Sequence, residues 1–514
     1  MKKSGLAQRM PVAKPRKLQR TASRHKLQIL MIFLALSVAS LSASDPRAMG
    51  KIAPKVAIAA ASSGSSEALI VLSEQANLSG ADSLATKAEK GQYVYSAMRQ
   101  VAERTQAPLR QMLKDRGIPF TSYYSVNMIK VRGDLNTLYE VAGRDEVLRI
   151  EANPLVKSGI PDANSALRAA SLANVTAPQT PTGGIEWNVQ RVNAPQVWAM
   201  GYKGQGIVVA GADTGVQWDH IALKSHYRGW NGSTVNHSYN WHDATAAHSP
   251  TPVDPQFHGT FTMSEMVGDD GKGNQVGVAP GAKWIACRNM DKNGVGTPAS
   301  YIECFDFLLA PYPFGHPELA KPAMAPDVIN NSWACPPSEG CSVATLLPAI
   351  NALRQAGIFV VAAAGNSGPT CSSVNQPPAI YDNATSVGST NSLDYISRFS
   401  SRGPVTADGS RRLKPEIVAP GENIRAAIPY NNMYQGYWSG TSMAAPHIAG
   451  AVALLWQAKP AKYNGNVAAT ENILVQTASH TTSTQSCGSF NGTAIPNAVF
   501  GYGLLNILRA VQAP

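Results

Sequence analysis

The run GIVVAGADTG at residues 206–215 decides how the larger part of this chain folds. Its first seven residues are glycine, small or β-branched, with no polar residue alternating between them. A half-exposed strand would alternate, so this run reads as a strand buried on both faces. The same signature returns in KWIACRNMD (283–291), DVINNSW (327–333), GIFVVAAAGNSG (357–368) and ATSVGST (384–390). Helical patterns lie between them, PASYIECFDFLLA (298–310) and ATLLPAINALRQAG (344–357). Continuous apolar strands alternating with helices predict an α/β unit, a doubly wound parallel sheet covered on both sides. In such sheets functional residues gather at the carboxyl ends of strands. Two of the runs end in polar residues there, Asp213 and Asn366.

Upstream the pattern is different. EALIVL (67–72) reads as a short strand, and residues 94–117 as a helix stopped by Gly117. Residues 122–133 alternate like one strand, LNTLYEVAGR is a second helix and VLRIEAN a closing strand. This predicts a small α+β domain over 67–157. Two Ala/Ser-rich stretches, 44–66 and 158–183, read as linkers, the second open to proteolysis. The remaining 184–514 form the α/β domain.

The formal charge of +11 suggests a polyanion partner until its distribution is examined. Residues 1–50 hold ten Lys/Arg against one acid, which leaves 34 basic and 32 acidic residues for the other 464. The folded part is near neutral, and no nucleic-acid partner is expected. The basic stretch precedes the apolar run LQILMIFLALSVASL (27–41) and small residues ending at Ala43. That order is a secretory signal peptide over 1–43, implying export. The run is short for a spanning helix, which needs about 20 residues; an uncleaved membrane anchor is the alternative.

All six cysteines, Cys287, Cys304, Cys335, Cys341, Cys371 and Cys487, lie beyond this leader, and an even count in an exported chain reads as disulfides. Cys335 and Cys341 bracket the loop PPSEG and are the first pair to propose. For the other four, 287–304 with 371–487 is preferred, with the alternatives left open. His237, His242 and His248 share a polar loop without metal-ligand spacing.

Four short segments carry chemistry. Asp213, just past a buried strand and before Thr214-Gly215, is placed to orient a base; alone it reads first as a helix cap. His258 opens a helix followed by small residues, Gly259 and Thr260; alone it is more often structural. Ser442, in GTSMAAPHIAG (440–450), opens a buried helix whose N-terminus favours developing negative charge. Pro446 is expected in its first turn, where N–H groups lack partners anyway, and His447 as a packing residue. Asn366 offers a side-chain N–H for an oxyanion, or forms a turn. Together they supply a nucleophile, a base, an orienter and a donor, in the order Asp, His, Ser.

DTG at 213–215, HGT at 258–260, AAGNSG at 363–368 and GTSMAAPHIAG at 440–450 resemble the four signatures of the subtilisin-like serine proteases, in the family's order. The resemblance spans about 184–514. It implies peptide-bond hydrolysis in which Asp213 orients His258, His258 deprotonates Ser442, and Asn366 with the Ser442 N–H forms the oxyanion hole. It implies that 67–157 is an inhibitory propeptide, the chain's own intramolecular inhibitor. Ser332, Trp333 and Ala334, with Ala363, Ala364 and Gly365, occupy the substrate-binding segments. The expected partners are protein or peptide substrates, with the enzyme a monomer. No cofactor is required for the chemistry, and which metal sites are occupied is left unknown. The family's calcium site after the catalytic aspartate is unsupported, because Gln217 and Ala222 stand in the ligand positions. Neither pocket segment holds an acid, so a mixed or apolar preference is expected rather than a Lys/Arg-directed one.

A lipase would place the serine in Gly-x-Ser-x-Gly, whereas Ala444 stands where the second glycine belongs. A catalytically dead binding protein on the same scaffold is the alternative from another class, and it would normally lack one of the four residues.

Overall fold

A computed structural model describes residues 46–157, 184–429, 432 and 434–514. The predicted leader (1–43) and the 158–183 stretch lie outside the described residues. The N-terminal unit contains helices α1 (Pro46–Lys51) and α2 (Pro54–Ser63), strand β1 (Ser66–Leu72) and helix α3 (Lys87–Asp115). Strands β2 (Phe120–Tyr123) and β3 (Met128–Gly133), helix α4 (Leu135–Ala142), and strands β4 (Val147–Ala152) and β5 (Val156–Lys157) follow. Its sheet runs β2-β3-β1-β4, with every pairing antiparallel.

Two expectations are corrected in this unit. Residues 44–66 are not a plain linker, because α1 and α2 occupy most of them. Ala48, Ile52, Val56 and Ala60 recur every four residues and bury themselves with Ile70, Leu138 and Ile150. Alanine's small contrast with its serine neighbours hides that stripe in the sequence. Residues 122–133 are not one strand but a hairpin, pairing Phe120 with Val131 and Tyr123 with Met128. Asn127, at φ 48, takes the left-handed conformation the turn needs. Helix α3 starts earlier than predicted, at a Thr86/Glu89 capping box, and Gly117 (φ +65) lies just beyond its end.

The second domain is built on strands β6 (Val208–Asp213), β7 (Trp241–Asp243) and β8 (Lys283–Arg288). Helix α5 (His258–Val267) precedes β8; short β9 (Val295–Gly296) and helix α6 (Pro298–Leu309) follow it. Then come β10 (Val328–Asn331), α7 (Leu347–Gln355), β11 (Phe359–Ala363), β12 (Thr385–Thr390), β13 (Ile417–Pro420) and α8 (Thr441–Ala458). Seven strands form one sheet in the order β13-β12-β11-β10-β6-β8-β7, parallel throughout. Alternate residues serve opposite faces. Ala210, Ala212, Ile329, Val360 and Ala362 pack on the side of α6 and α7 with Phe305, Ile350 and Leu353. Val209, Val328, Phe359 and Val361 pack on the side of α5 and α8 with Met263, Ala445, Ile448 and Val452. This two-sided burial is why the strands read as unbroken apolar runs.

The sheet places Asp213 at the carboxyl end of β6, where the strand order reverses, the position at which open α/β sheets place their functional residues. The N-terminal unit docks on the α6/α7 side. Leu69, Val71 and Met98 share a buried cluster with Phe305 and Ile350. Lys87 pairs with Asp327 at 2.7 Å. The β2–β3 turn gives the Tyr124 and Ser125 amides to the Asp306 carboxylate, both at 3.0 Å. Disulfides join Cys287 to Cys304, Cys335 to Cys341 and Cys371 to Cys487.

Candidate active site

Asp213 ends β6 and His258 begins α5, and two glycines let their loops touch backbone to backbone. A Cβ on Gly215 (φ +114) would fall 1.8 Å from the Val253 carbonyl, and one on Gly259 would fall 2.1 Å from the Gly215 carbonyl. No larger residue fits either position. The contact brings His258 Nδ1 to 2.8 and 3.0 Å from the two Asp213 carboxylate oxygens. A carboxylate only accepts, so Nδ1 carries the proton and Nε2 keeps its lone pair as the basic nitrogen. Asp213 also accepts the Thr214 N–H at 2.7 Å, and both side chains are almost fully buried.

A second carboxylate, Asp254, ties the two loops together. It accepts Thr214 Oγ1 at 2.9 Å, Phe257 N at 2.9 Å, Thr260 N at 2.8 Å and Thr260 Oγ1 at 2.7 Å. Thr214 Oγ1 in turn accepts the Gly259 N–H at 2.9 Å. Burial pushes the Asp254 carboxyl above its ordinary range against the pull of these hydrogen bonds. Sequence reasoning missed this residue. The signal was an aspartate four positions before the helix-opening histidine, a capping arrangement.

Ser442 is the second residue of α8. Its hydroxyl donates to the Ser332 carbonyl at 3.1 Å rather than to His258, and the Ser332 hydroxyl donates back to the Ser442 carbonyl at 2.9 Å. The second bond corrects the expectation for Pro446. The helix starts at Thr441, so Pro446 lies past the first turn, where its missing N–H would have served Ser442 O. Ser332 Oγ supplies that bond instead. His447 is turned away from this cleft. Its Nδ1 donates to Met443 O at 2.9 Å and its Nε2 accepts from Asn188 Nδ2 at 2.8 Å, while burial lowers its pKa to about 4.

Asn366 follows β11 through Gly365 (φ +104). Its Oδ1 accepts Thr441 N at 2.9 Å and Thr441 Oγ1 at 3.0 Å, which leaves the amide nitrogen as the free end. Asn366 and Ser442 line one cavity of about 310 Å³, together with Ser332, Trp333, Ala334, Ala363 and Gly365. Ala364 does not line it and belongs to the buried cluster behind β11. Trp333 is fixed in place by donating to the Ala212 carbonyl at 2.8 Å and stacking on Tyr301. Glu339, on the loop between Cys335 and Cys341, also lines the cavity, as does Lys157 at the end of β5.

Among the described residues, no three His, Cys, Asp or Glu side chains converge as metal ligands. Gln217 bonds Asp219, and Ala222 is buried. His242 is taken by Glu303 at 2.9 Å, and His237 contacts Tyr227 Oη at 3.1 Å.

A family model described as the subtilase family matches residues 204–503. The chain is 38% identical over 451 residues to Bacillopeptidase F of Bacillus subtilis (strain 168), covering 83% of this chain and 29% of that protein. It is 30% identical over 270 residues to the Major intracellular serine protease of the same organism, covering 52% of this chain and 73% of the other. To Subtilisin BL of Lederbergia lenta it is 31% identical over 328 residues, covering 64% and 99%. It therefore spans under a third of Bacillopeptidase F, yet nearly the whole of Subtilisin BL. A match over more than half of the chain, on a parallel α/β sheet carrying these signatures, places it in the subtilase family of subtilisin-like serine peptidases.

Proposed function

We propose that this chain is a serine endopeptidase made as a self-activating precursor. What supports the reading is a buried His258–Asp213 pair that leaves His258 Nε2 basic, its histidine on a helix packed against the one that carries Ser442, and a single cavity lined by both Ser442 and Asn366. Ser442 Oγ leaves its contact with Ser332 O, gives its proton to His258 Nε2 and attacks the substrate carbonyl. Asp213 stabilises the imidazolium without taking its proton. The oxyanion receives the Asn366 amide and the Ser442 N–H. His258 then protonates the leaving amine, and water hydrolyses the acyl-enzyme by the same route in reverse. The chain's own side chains supply each proton transfer. An amide donor aimed at a developing oxyanion contributes about 100- to 1000-fold in rate in such sites.

The N-terminal unit acts as an intramolecular inhibitor. Its last strand, β5, lies antiparallel on β9 with Lys157 opposite Val295, and Lys157 reaches the cavity wall. An extended segment added to a sheet edge beside the nucleophile occupies the path a substrate would take. Cleavage within 158–183 then frees the cleft. The basic and apolar leader supports export, so the substrates are extracytoplasmic proteins or peptides.

Expressing the precursor beside a Ser442→Ala version and following both on a gel tests this. Loss of the N-terminal segment from the native chain alone makes Ser442 the nucleophile of self-processing. If both are cut alike, self-activation is wrong. If both stay whole and folded and neither cleaves peptides, the binding-protein reading replaces this one.

A further inference from the structure

We propose that Glu339 is the specificity-determining residue of the cavity beside Ser442, and that it selects substrates with lysine or arginine immediately before the cut bond. The inference deepens the endopeptidase reading and rests on it. A cavity that opens on both the nucleophile and the oxyanion donor receives the side chain adjoining the scissile carbonyl, so its lining decides which residue is accepted there.

Among its described residues, the cavity wall carries two charged side chains, Lys157 and Glu339. Lys157 belongs to the N-terminal unit. So does Lys55, whose Nζ approaches the loop at Gly340. Both leave when that unit is cut away, and the mature wall keeps one charge, a carboxylate. Among the described residues, the rest of the lining, including Trp333, Ala334, Ala363 and Gly365, is neutral, so no other cation there neutralises Glu339. An uncompensated carboxylate in a partly desolvated cleft attracts a cation and repels an acid, giving selection in both directions.

The carboxylate is held where it is needed. The Cys335–Cys341 bridge closes the loop, with Cα atoms 5.6 Å apart. Cys335 N donates to Pro377 O at 2.8 Å, and Glu339 N to Pro336 O at 3.0 Å. With the N-terminal unit in place Glu339 is half-buried, and the closed loop restrains its backbone, which lowers the ordering entropy lost on binding. In the precursor its Oε2 already accepts the Lys157 amide at 2.7 Å, so it engages chain that enters the cleft. This revises the mixed or apolar preference expected from the two pocket segments. The acid arrives from the loop that follows the first of them.

The test uses the matured protein and fluorogenic peptides that differ only in the residue before the cut: Lys, Arg, Leu or Glu. The native enzyme should favour Lys and Arg over Glu by at least tenfold in kcat/KM. Glu339→Gln, which keeps an acceptor for Lys157 and hence maturation, should lower kcat/KM for Lys and Arg by roughly ten- to a hundredfold, the range of a hydrogen bond to a charged group. It should leave the Leu peptide within about threefold, as expected when a single contact is removed. Glu339→Lys should reverse the order of the Lys and Glu peptides, which a damaged fold would not do. Equal losses on all four peptides in Glu339→Gln, or a native enzyme indifferent to charge, would overturn the assignment while leaving the endopeptidase reading intact. A folded native protein no more active than Ser442→Ala on every peptide would overturn both.

Discussion

Asn366 and Thr441 are locked together. The asparagine carbonyl accepts the backbone N–H and the hydroxyl of the residue just before Ser442, at 2.9 and 3.0 Å. The amide nitrogen is thereby aimed without its own partner being consumed. We predict that Asn366→Ala lowers kcat by about 100- to 1000-fold, the cost of one oxyanion donor, with KM little changed and thermal unfolding near native. A loss below about threefold in single-turnover assays would remove Asn366 from the mechanism.

Replacing Cys335 and Cys341 together by serine should change peptide preference more than stability. The loop they close is short, with a sequence separation of 6, so its loss costs about 2 kcal/mol by chain entropy. The bridge also holds the wall bearing Glu339. Profiles on the four peptides should flatten, and an unchanged profile would detach the loop from selectivity.

His447 makes the fold sensitive to acid. Its pKa is lowered to about 4 in the folded state by burial, from the ordinary 6.5. A depressed pKa gives stability that is complete above 6.5 and lost as pH falls toward 4, because the unfolded chain takes the proton first. Urea midpoints should drop between pH 7 and pH 4.5 by the equivalent of about 1–3 kcal/mol. In His447→Gln that part of the slope should disappear.

Asp306 makes docking of the N-terminal unit pH-dependent in the opposite sense. Burial outweighs the Tyr124 and Ser125 hydrogen bonds and pushes its carboxyl from 3.8 up to about 7. Once the unit leaves, the group faces water and returns toward its ordinary value. A raised bound-state pKa favours association at low pH, and this is lost as pH rises from about 4 through 7. Affinity of the cleaved unit for Ser442→Ala enzyme should fall by about ten- to a hundredfold from pH 5 to pH 8, and Asp306→Asn should flatten the change. Calorimetric titration at the two pH values reads it directly.

The parallel sheet and the four chemical segments were legible because each rests on a local signal. Buried strands lose polar alternation, and Gly215 and Gly259 stand where two backbones touch. The hairpin at 124–127 was missed because a single left-handed asparagine turns a strand that alternates on either side of it. Asp254 carried a local capping signal, with partners at 257 and 260, and only its bond to Thr214 was out of reach of a sequence window. Glu339 was hidden for another reason: its partner, the Lys157 amide, lies on another segment, and nothing at position 339 says which amide or cavity it meets. The role of Ser332 in completing the helix broken by Pro446 is likewise a relation across 110 residues, invisible to any window of sequence.

If the chain is processed as proposed, the placement of the three disulfides has a consequence for how it would come apart. Each joins residues beyond 286, and the N-terminal unit contains no cysteine. Among the described residues, the two halves are held by packing, hydrogen bonds, an ion pair and the peptide chain, with no disulfide between them. One hydrolysed bond therefore suffices to turn a tethered partner into a diffusible one, and the step is indifferent to the redox state of its surroundings. Dilution, rather than reduction, then sets how long the severed piece stays in place.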